Sequence, residues 1–144
     1  MNLLKIADVP ATTISPATTV SDAVDVMMRN RVGAVAVVEQ SLLRGIFTER
    51  DVMTRVVAPH LDPRETKVVD VMTDKVEAIT VQTSAAEALK LMVERHFRHL
   101  PILGSDGQIK GMVSVRNLLQ NRIEYLSHEL DGLAAYLTAD GPGG

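Results

Sequence analysis

The stretch GIFTERD, residues 45–51, is where a predicted strand turns into a predicted helix. Gly45 opens the stretch, Thr48 stands at the corner, and Asp51 follows three residues later. A hydroxyl with an acid at this spacing is typical of a capping box, so one such corner by itself indicates only a helix N-terminus. The same order of residue types returns as GMVSVRN, residues 111–117. The recurrence indicates that the chain contains an internal repeat.

The repeat extends well beyond these corners. Residues 14–38 align with residues 79–103 without a gap, and after one inserted residue 45–53 align with 111–119. In both copies, apolar residues at helical spacing are followed by two short apolar runs that are typical of strands. Thr19 and either Thr83 or Ser84 are the predicted helix caps. Each copy is therefore predicted to form a strand, a helix, two strands and a helix.

These units predict an α+β fold of tandem βαββα repeats with pseudo-twofold symmetry and a C-terminal helical extension. The whole chain, 1–144, is predicted to be a single module, because a half of this size buries too little surface to be stable alone. Its predicted parts are a first repeat (8–58), a linker (59–69), a second repeat (70–124), and a C-terminal helix with a flexible tail (125–144). The symmetry places two related clefts between the repeats.

Apolar residues continue at spacings of three, four and seven past the second repeat. They are Leu118, Leu119, Ile123, Leu126, Leu130, Leu133 and Leu137. Such a stripe predicts a long helix with one apolar face. Two arrangements remain open at this point: the face packs on a second chain, or it folds back onto its own domain.

Composition restricts the class of partner. The net charge is −3 and aromatic residues make up 3% of the chain, which disfavours a nucleic-acid surface. No apolar run approaches the roughly 20 residues of a membrane span. The chain has no cysteine and no signal-peptide pattern, which fits a cytoplasmic location. Common catalytic motifs are also missing, so the sequence predicts no enzyme.

The two corners offer chemistry beyond capping. The Thr48 hydroxyl can donate to a phosphate, and the Asp51 carboxylate can accept from both hydroxyls of a ribose. Arg50 and Arg116 hold the same place in the two copies and can bind phosphate. His96 and His99 lie three residues apart, but two histidines are too few for a tetrahedral metal set, and no metal site is predicted.

The doubled unit with G-h-h-[ST]-x-x-[DN] closing each copy, together with DVMT (70–73) and RHLP (98–101), resembles a cystathionine-β-synthase (CBS) domain pair, or Bateman module. With no further domain evident, the chain looks like the stand-alone bacterial CBS-pair proteins. The resemblance implies a regulatory sensor that binds an adenosyl nucleotide (AMP, ADP, ATP, an NAD-type dinucleotide or S-adenosylmethionine) between the repeats. It implies no required cofactor, and signalling through a conformational or dimer-interface shift to an unidentified protein target. Homodimerisation is also expected.

The resemblance implies a role for each matching residue. The acid position holds ribose, the hydroxyl and nearby basic residues hold phosphate, and first-strand residues contact the base. The implied ligand-binding residues are Thr48, Arg50, Asp51, Thr80, Arg98, His99, Pro101, Ser114, Arg116 and Asn117.

Two departures from the family pattern predict unequal clefts. Asn117 stands where an acid is usual, and Gly33–Ala34 stands in the first copy where the second has Arg98–His99. We therefore expect the cleft that contains Asp51 to bind more tightly. The alternative function is a ligand-free dimerisation or protein-interaction module, in which the corners only cap helices.

Overall fold

The computed structural model describes residues 2–139, with side chains up to residue 134, and contains two three-stranded sheets. The first repeat comprises β1 (Thr13–Ile14), α1 (Val20–Asn30), β2 (Ala34–Glu39), β3 (Leu42–Thr48) and α2 (Glu49–Asp51). The second comprises β4 (Ile79–Thr80), α3 (Ala85–Arg95), β5 (His99–Leu103), β6 (Ile109–Ser114) and α4 (Val115–Ala139). In each sheet the first strand pairs parallel to the second, which pairs antiparallel to the third. The predicted tandem βαββα fold is confirmed.

The helix ends follow from local chemistry. The Thr19 hydroxyl accepts from the Asp22 N–H at 3.2 Å at the start of α1, and Ser84 accepts from the Glu87 N–H at 3.1 Å at the start of α3. Ser84, rather than Thr83, is therefore the cap of α3. Both helices end at a residue in the left-handed conformation, Arg31 and His96. Helix α2 is short and continues into a π-helical segment over Val52–Val57.

Each repeat has its own aliphatic core, and a third cluster joins the two. Val35, Val37 and Phe47 lie at the centre of the first core, and Leu100 and Ile102 at the centre of the second. The joining cluster contains Ala36, Ile46 and Met112, with partly buried residues from both sheets packed against it. Neither repeat therefore exposes the joining side of its sheet to water, as expected for halves too small to be stable alone.

The segment that precedes each repeat pairs with the other repeat. Asp8 pairs with Met112 of β6 through two backbone hydrogen bonds of 2.9 and 3.1 Å, and Thr73 pairs with Ile46 of β3 through two of 2.9 Å. A Cβ at Gly45 would lie only 2.6 Å from the Thr73 carbonyl oxygen, so the crossing strand leaves room only for glycine. The glycine of GIFTERD is thus explained by an inter-repeat contact.

Helix α4 extends beyond the second repeat. Leu118 is buried in the second core, whereas Ile123 and Leu130 remain 64% and 65% exposed. From Leu119 onward, the apolar stripe does not fold back onto its own domain over the residues whose side chains are described. The side chain of Leu137 and the tail residues 140–144 lie outside the described part. Within residues 2–139, no helix has both the length and the hydropathy required to cross a bilayer.

Candidate functional site

A cleft of about 480 Å³ lies between the repeats at the carboxyl end of β3. The first repeat contributes the corner around Thr48 and the helical segment after it, and the second contributes the junction between α3 and β5. The lining residues are Ile46, Thr48, Glu49, Arg50, Asp51, Met53, Thr54, Arg55, Thr73, His96, Phe97, Arg98 and His99. The corner of the GIFTERD stretch therefore faces a space shared by both repeats.

The Thr48–Asp51 corner forms a complete capping box. The Thr48 hydroxyl accepts from the Asp51 N–H at 3.1 Å, and the Asp51 carboxylate accepts from the Thr48 N–H at 3.1 Å. Both bonds satisfy backbone donors that the helix itself leaves free. The predicted capping role is confirmed, and it fixes the orientation of the Asp51 side chain at the wall of the cleft.

Two further groups hold the Asp51 carboxylate. The Thr73 hydroxyl lies 3.1 and 3.3 Å from its two oxygens, and the Arg55 Nε lies 3.6 Å from Oδ1. Arg55 is itself fixed by a 2.7 Å hydrogen bond to the Met72 carbonyl. These contacts compensate the burial of a carboxylate that is only 5% exposed. A carboxylate has about four acceptor sites, of which the Thr48 N–H and the Thr73 hydroxyl occupy two. At 3.6 Å Arg55 forms an ion pair and not a hydrogen bond, so Asp51 retains two sites for a hydroxyl pair.

Arg98 and His99 form the opposite wall. The Arg98 side chain is exposed, and its carbonyl accepts from the Val115 N–H at 2.9 Å, which ties the junction to the start of α4. His99 is half-buried, and burial lowers the pKa of its imidazole below the usual value of 6.5. Glu49 and Asp8 raise this pKa and Arg98 lowers it further, but burial dominates. His99 is therefore neutral at pH 7, and the cationic charge of this wall comes from Arg98.

The second corner repeats the first with different chemistry. The Asn117 Oδ1 accepts from the Ser114 N–H at 2.8 Å, and the Ser114 hydroxyl accepts from the Asn117 N–H at 3.0 Å. Asp8 holds here the place that Thr73 holds at the first corner, because the bridges Asp8–Met112 and Thr73–Ile46 are equivalent. A Cβ on Gly33 would lie 3.1 Å from the Glu49 carboxylate. At the second corner, Asp8 therefore stands in place of Thr73, and Gly33 stands in place of Arg98.

Half of the ten predicted site residues meet in the cleft: Thr48, Arg50, Asp51, Arg98 and His99. Ser114, Arg116 and Asn117 belong to the other corner, and Thr80 and Pro101 do not line the cleft. Thr80 is exposed on β4, where its hydroxyl accepts from the Gln82 N–H, and Pro101 is buried in β5.

Arg55, Thr73 and Phe97 line the cleft but were not among the predicted residues. Arg55 lies one helical turn after Asp51, a spacing at which opposite charges pair, so its role was detectable from the sequence. Thr73 ends the DVMT stretch, but its contact with Asp51 depends on the exchange of segments, which no local pattern reveals. His96 is exposed at the end of α3, and among the described residues no cluster of three potential metal ligands occurs.

Comparison with known proteins identifies the family to which the two repeats belong. The family model of the CBS domain matches residues 6–58 and 68–124. The mitochondrial CBS domain-containing protein CBSX3 of Arabidopsis thaliana is 38% identical over 124 residues, which cover 83% of this chain and 60% of that protein. The matched parts of three further CBS domain-containing proteins of that plant make up only 19% to 24% of their lengths.

Solved structures share the fold. A protein with CBS domains from Burkholderia ambifaria MC40-6 is 30% identical, with a TM-score of 0.79 over 86% of this chain and 95% of that one. A CBS domain protein from Pyrobaculum aerophilum, solved in complex with AMP, is 18% identical, with a TM-score of 0.74 over 81% of this chain and 89% of that one. The chain therefore belongs to the CBS domain family, whose domains are regulatory and non-catalytic, and it carries two of these domains in tandem.

Proposed function

We propose that this chain is a sensor that binds an adenosyl nucleotide in the cleft between its repeats. The observation that carries the proposal is the position of the buried Asp51 carboxylate in the same cleft as three arginines, Arg50, Arg55 and Arg98. A carboxylate with free acceptor sites suits a ribose diol, and guanidinium groups suit phosphate. The cleft volume of about 480 Å³ is within the range of small-molecule sites, roughly 300–1,000 Å³.

The charges of the cleft favour a ligand with phosphate. Arg55 pairs with Asp51, which leaves Arg50 and Arg98 against Glu49 as the remaining charged groups of the lining. This balance is positive and favours AMP, ADP, ATP or an NAD-type dinucleotide over the sulfonium cation of S-adenosylmethionine. The AMP complex of the Pyrobaculum aerophilum protein supports the proposal through its shared fold.

The proposed signalling mechanism depends on the fact that the two walls of the cleft belong to different repeats. Thr48 and Asp51 belong to the first repeat, and Arg98 and His99 to the second. A nucleotide that contacts both walls favours one relative orientation of the repeats, to the extent that it binds that orientation better. An unidentified protein target, or the interface of a homodimer, then reads this orientation.

Calorimetric titration with AMP, ATP, NAD and S-adenosylmethionine tests the proposal. We expect binding of at least one phosphate-bearing ligand, a weaker response to S-adenosylmethionine, and a larger loss of affinity in Asp51→Ala than in Asn117→Ala. Asp51→Asn serves as the conservative variant, because Asn117 makes the same corner bonds at the second site. It should keep the fold and lose about tenfold or more in affinity with the lost charge.

Two results would contradict the proposal. Absence of binding by every adenosyl ligand would favour the ligand-free interaction module, in which the corners only cap helices. Equal losses in Asp51→Ala and Asn117→Ala would contradict the assignment of the tighter site to the cleft at Asp51. A thermal-shift series on the same variants separates loss of binding from loss of folding, because a bound ligand raises the Tm by mass action.

Homodimerisation is part of the proposal. Met28 on α1 and Val93 on α3 occupy equivalent places in the two repeats and are 73% and 67% exposed. Val57 of the first repeat is also exposed, at 62%. Large exposed apolar side chains favour association, and sedimentation equilibrium of Met28→Asp with Val93→Asp against the wild type measures what this surface contributes. A cytoplasmic location remains a prediction, and the relative CBSX3 is described as mitochondrial.

A further inference from the structure

The part of α4 beyond the second repeat carries an apolar seam in a heptad pattern. The seam consists of Leu119, Ile123, Leu126, Leu130 and Leu133, all of which are exposed. Their spacings are four, three, four and three residues, the alternation of a and d positions in a coiled coil. Ile123 and Leu130 take the a positions, and Leu119, Leu126 and Leu133 take the d positions.

This seam is not the face that packs on the core. Leu118 is buried in the second core and Val115 packs against the same cluster. The seam begins at Leu119, about 100° further round the helix, and continues after contact with the repeat has ended. An isolated helix with one apolar face gains most of its stability from burying that face. A stripe this regular therefore requires a partner helix with a matching heptad.

Charges beside the seam identify that partner. Arg122 and Glu129 occupy successive g positions and carry opposite charges, one heptad apart. In an antiparallel pair of identical helices, the g flanks of the two helices face each other. Arg122 then faces Glu129 of the second copy, and the twofold axis repeats the contact. A parallel pair would instead place these charges opposite the uncharged residues Ser127 and Ala134.

The register that pairs Arg122 with Glu129 also pairs the apolar residues of the two seams. With Arg122 opposite Glu129 of the second copy, Ile123 faces Leu126 and Leu119 faces Leu130, so that four apolar layers form about one axis. The Arg122 guanidinium lies 5.3 Å from the centre of the Tyr125 ring. Stacking on a ring uses the face of the guanidinium and leaves its N–H edge free to bind a carboxylate.

We propose that α4 binds α4 of a second copy of this chain as a short antiparallel coiled coil. This contact is separate from the nucleotide cleft and does not depend on the proposed ligand. Its consequence is an orientation for the two chains that it joins: the twofold axis passes between Ile123 and Leu126, with the second repeats at opposite ends of the helix pair.

Sedimentation equilibrium tests the pairing in a full chain that also carries Met28→Asp and Val93→Asp, so that association through the surface of α1 and α3 does not contribute. Leu126→Asp and Leu130→Asp place a charge in the seam and should each raise the dimer Kd by about 100-fold or more. His128→Asp introduces the same residue at an f position on the far side of the helix and should leave the Kd unchanged. Both seam positions are exposed in the single chain, so thermal unfolding should be unchanged at concentrations at which the wild type is monomeric. A monomer at all concentrations, or a dimer insensitive to both seam variants, would overturn the proposal.

Charge reversal tests the orientation. Arg122→Glu and Glu129→Arg should each weaken the dimer by about tenfold, and the double variant should restore it. The chain has no cysteine, so single cysteines report contacts directly. Arg122→Cys mixed with Glu129→Cys should form a disulfide-linked heterodimer, and neither variant should cross-link alone. Efficient self-cross-linking of Leu133→Cys, together with failure of the charge-reversed pair to restore binding, would indicate parallel helices and overturn the antiparallel assignment, because the two copies of Leu133 face each other only in a parallel pair.

Discussion

At the scale of single residues, His99 combines a half-buried ring with two nearby carboxylates. Because burial lowers its pKa below 6.5 despite Glu49 and Asp8, the unfolded chain binds a proton more readily than the folded one. Stability therefore falls as the pH drops below 6.5 towards the lowered pKa, by at most about 1.4 kcal/mol per pH unit from this group. His99→Gln should lose less stability than the wild type between pH 7 and pH 5 in urea unfolding. Parallel pH profiles of the two proteins would contradict this.

Single residues also show which features of the site can be predicted from the sequence. The Thr48–Asp51 pair was predictable because a capping box depends on residues three apart, and such local spacing is visible in the chain. The lowered pKa of His99 was not predictable, because it depends on how deeply the strand is packed. Nor was Thr73, whose hydroxyl reaches Asp51 from another segment. The missed parts of the site are those assembled by tertiary contacts.

At the scale of elements, the corner at Thr48 serves two purposes that one pair of variants separates. Thr48→Ala removes the acceptor for the Asp51 N–H and should destabilise the chain by about 0.5–2 kcal/mol. Thr48→Ser keeps the hydroxyl and should keep both stability and nucleotide affinity. Ser84→Ala removes a comparable cap of α3 away from the cleft, so it should lower stability alone. Urea unfolding and calorimetry measure the two effects, and an unchanged affinity in Thr48→Ala would contradict a phosphate contact.

The elements themselves were predictable because each repeat confirms the other. A short apolar run is ambiguous alone, but two aligned runs after aligned helical stripes restrict the assignment. The π-helical segment Val52–Val57 was not predicted, since its apolar spacing differs little from that of an α-helix. The path of α4 was left open because a heptad stripe describes one face of a helix and not what covers it.

At the scale of the whole molecule, the exchanged segments make the repeats interdependent. Leu3 lies in a 3₁₀ turn before the first repeat, yet it is 1% exposed in the core of the second. Asp8 continues this crossing by pairing with Met112. The predicted boundary at residue 8 gave no sign of this arrangement, because an apolar residue can be buried in either core. The segment that precedes the first repeat in the sequence thus packs on the second repeat in the structure.

This interdependence predicts that a change at the N-terminus destabilises the distant repeat. Leu3→Ala should lower the free energy of unfolding by about 2–5 kcal/mol, as for a fully buried leucine. It should also speed hydrogen exchange at the Met112 amide, which donates to the Asp8 carbonyl. Lys5→Ala, an exposed position in the same turn, is the matched control. A loss below about 0.5 kcal/mol, typical of surface substitutions, would show that the second core does not depend on this segment.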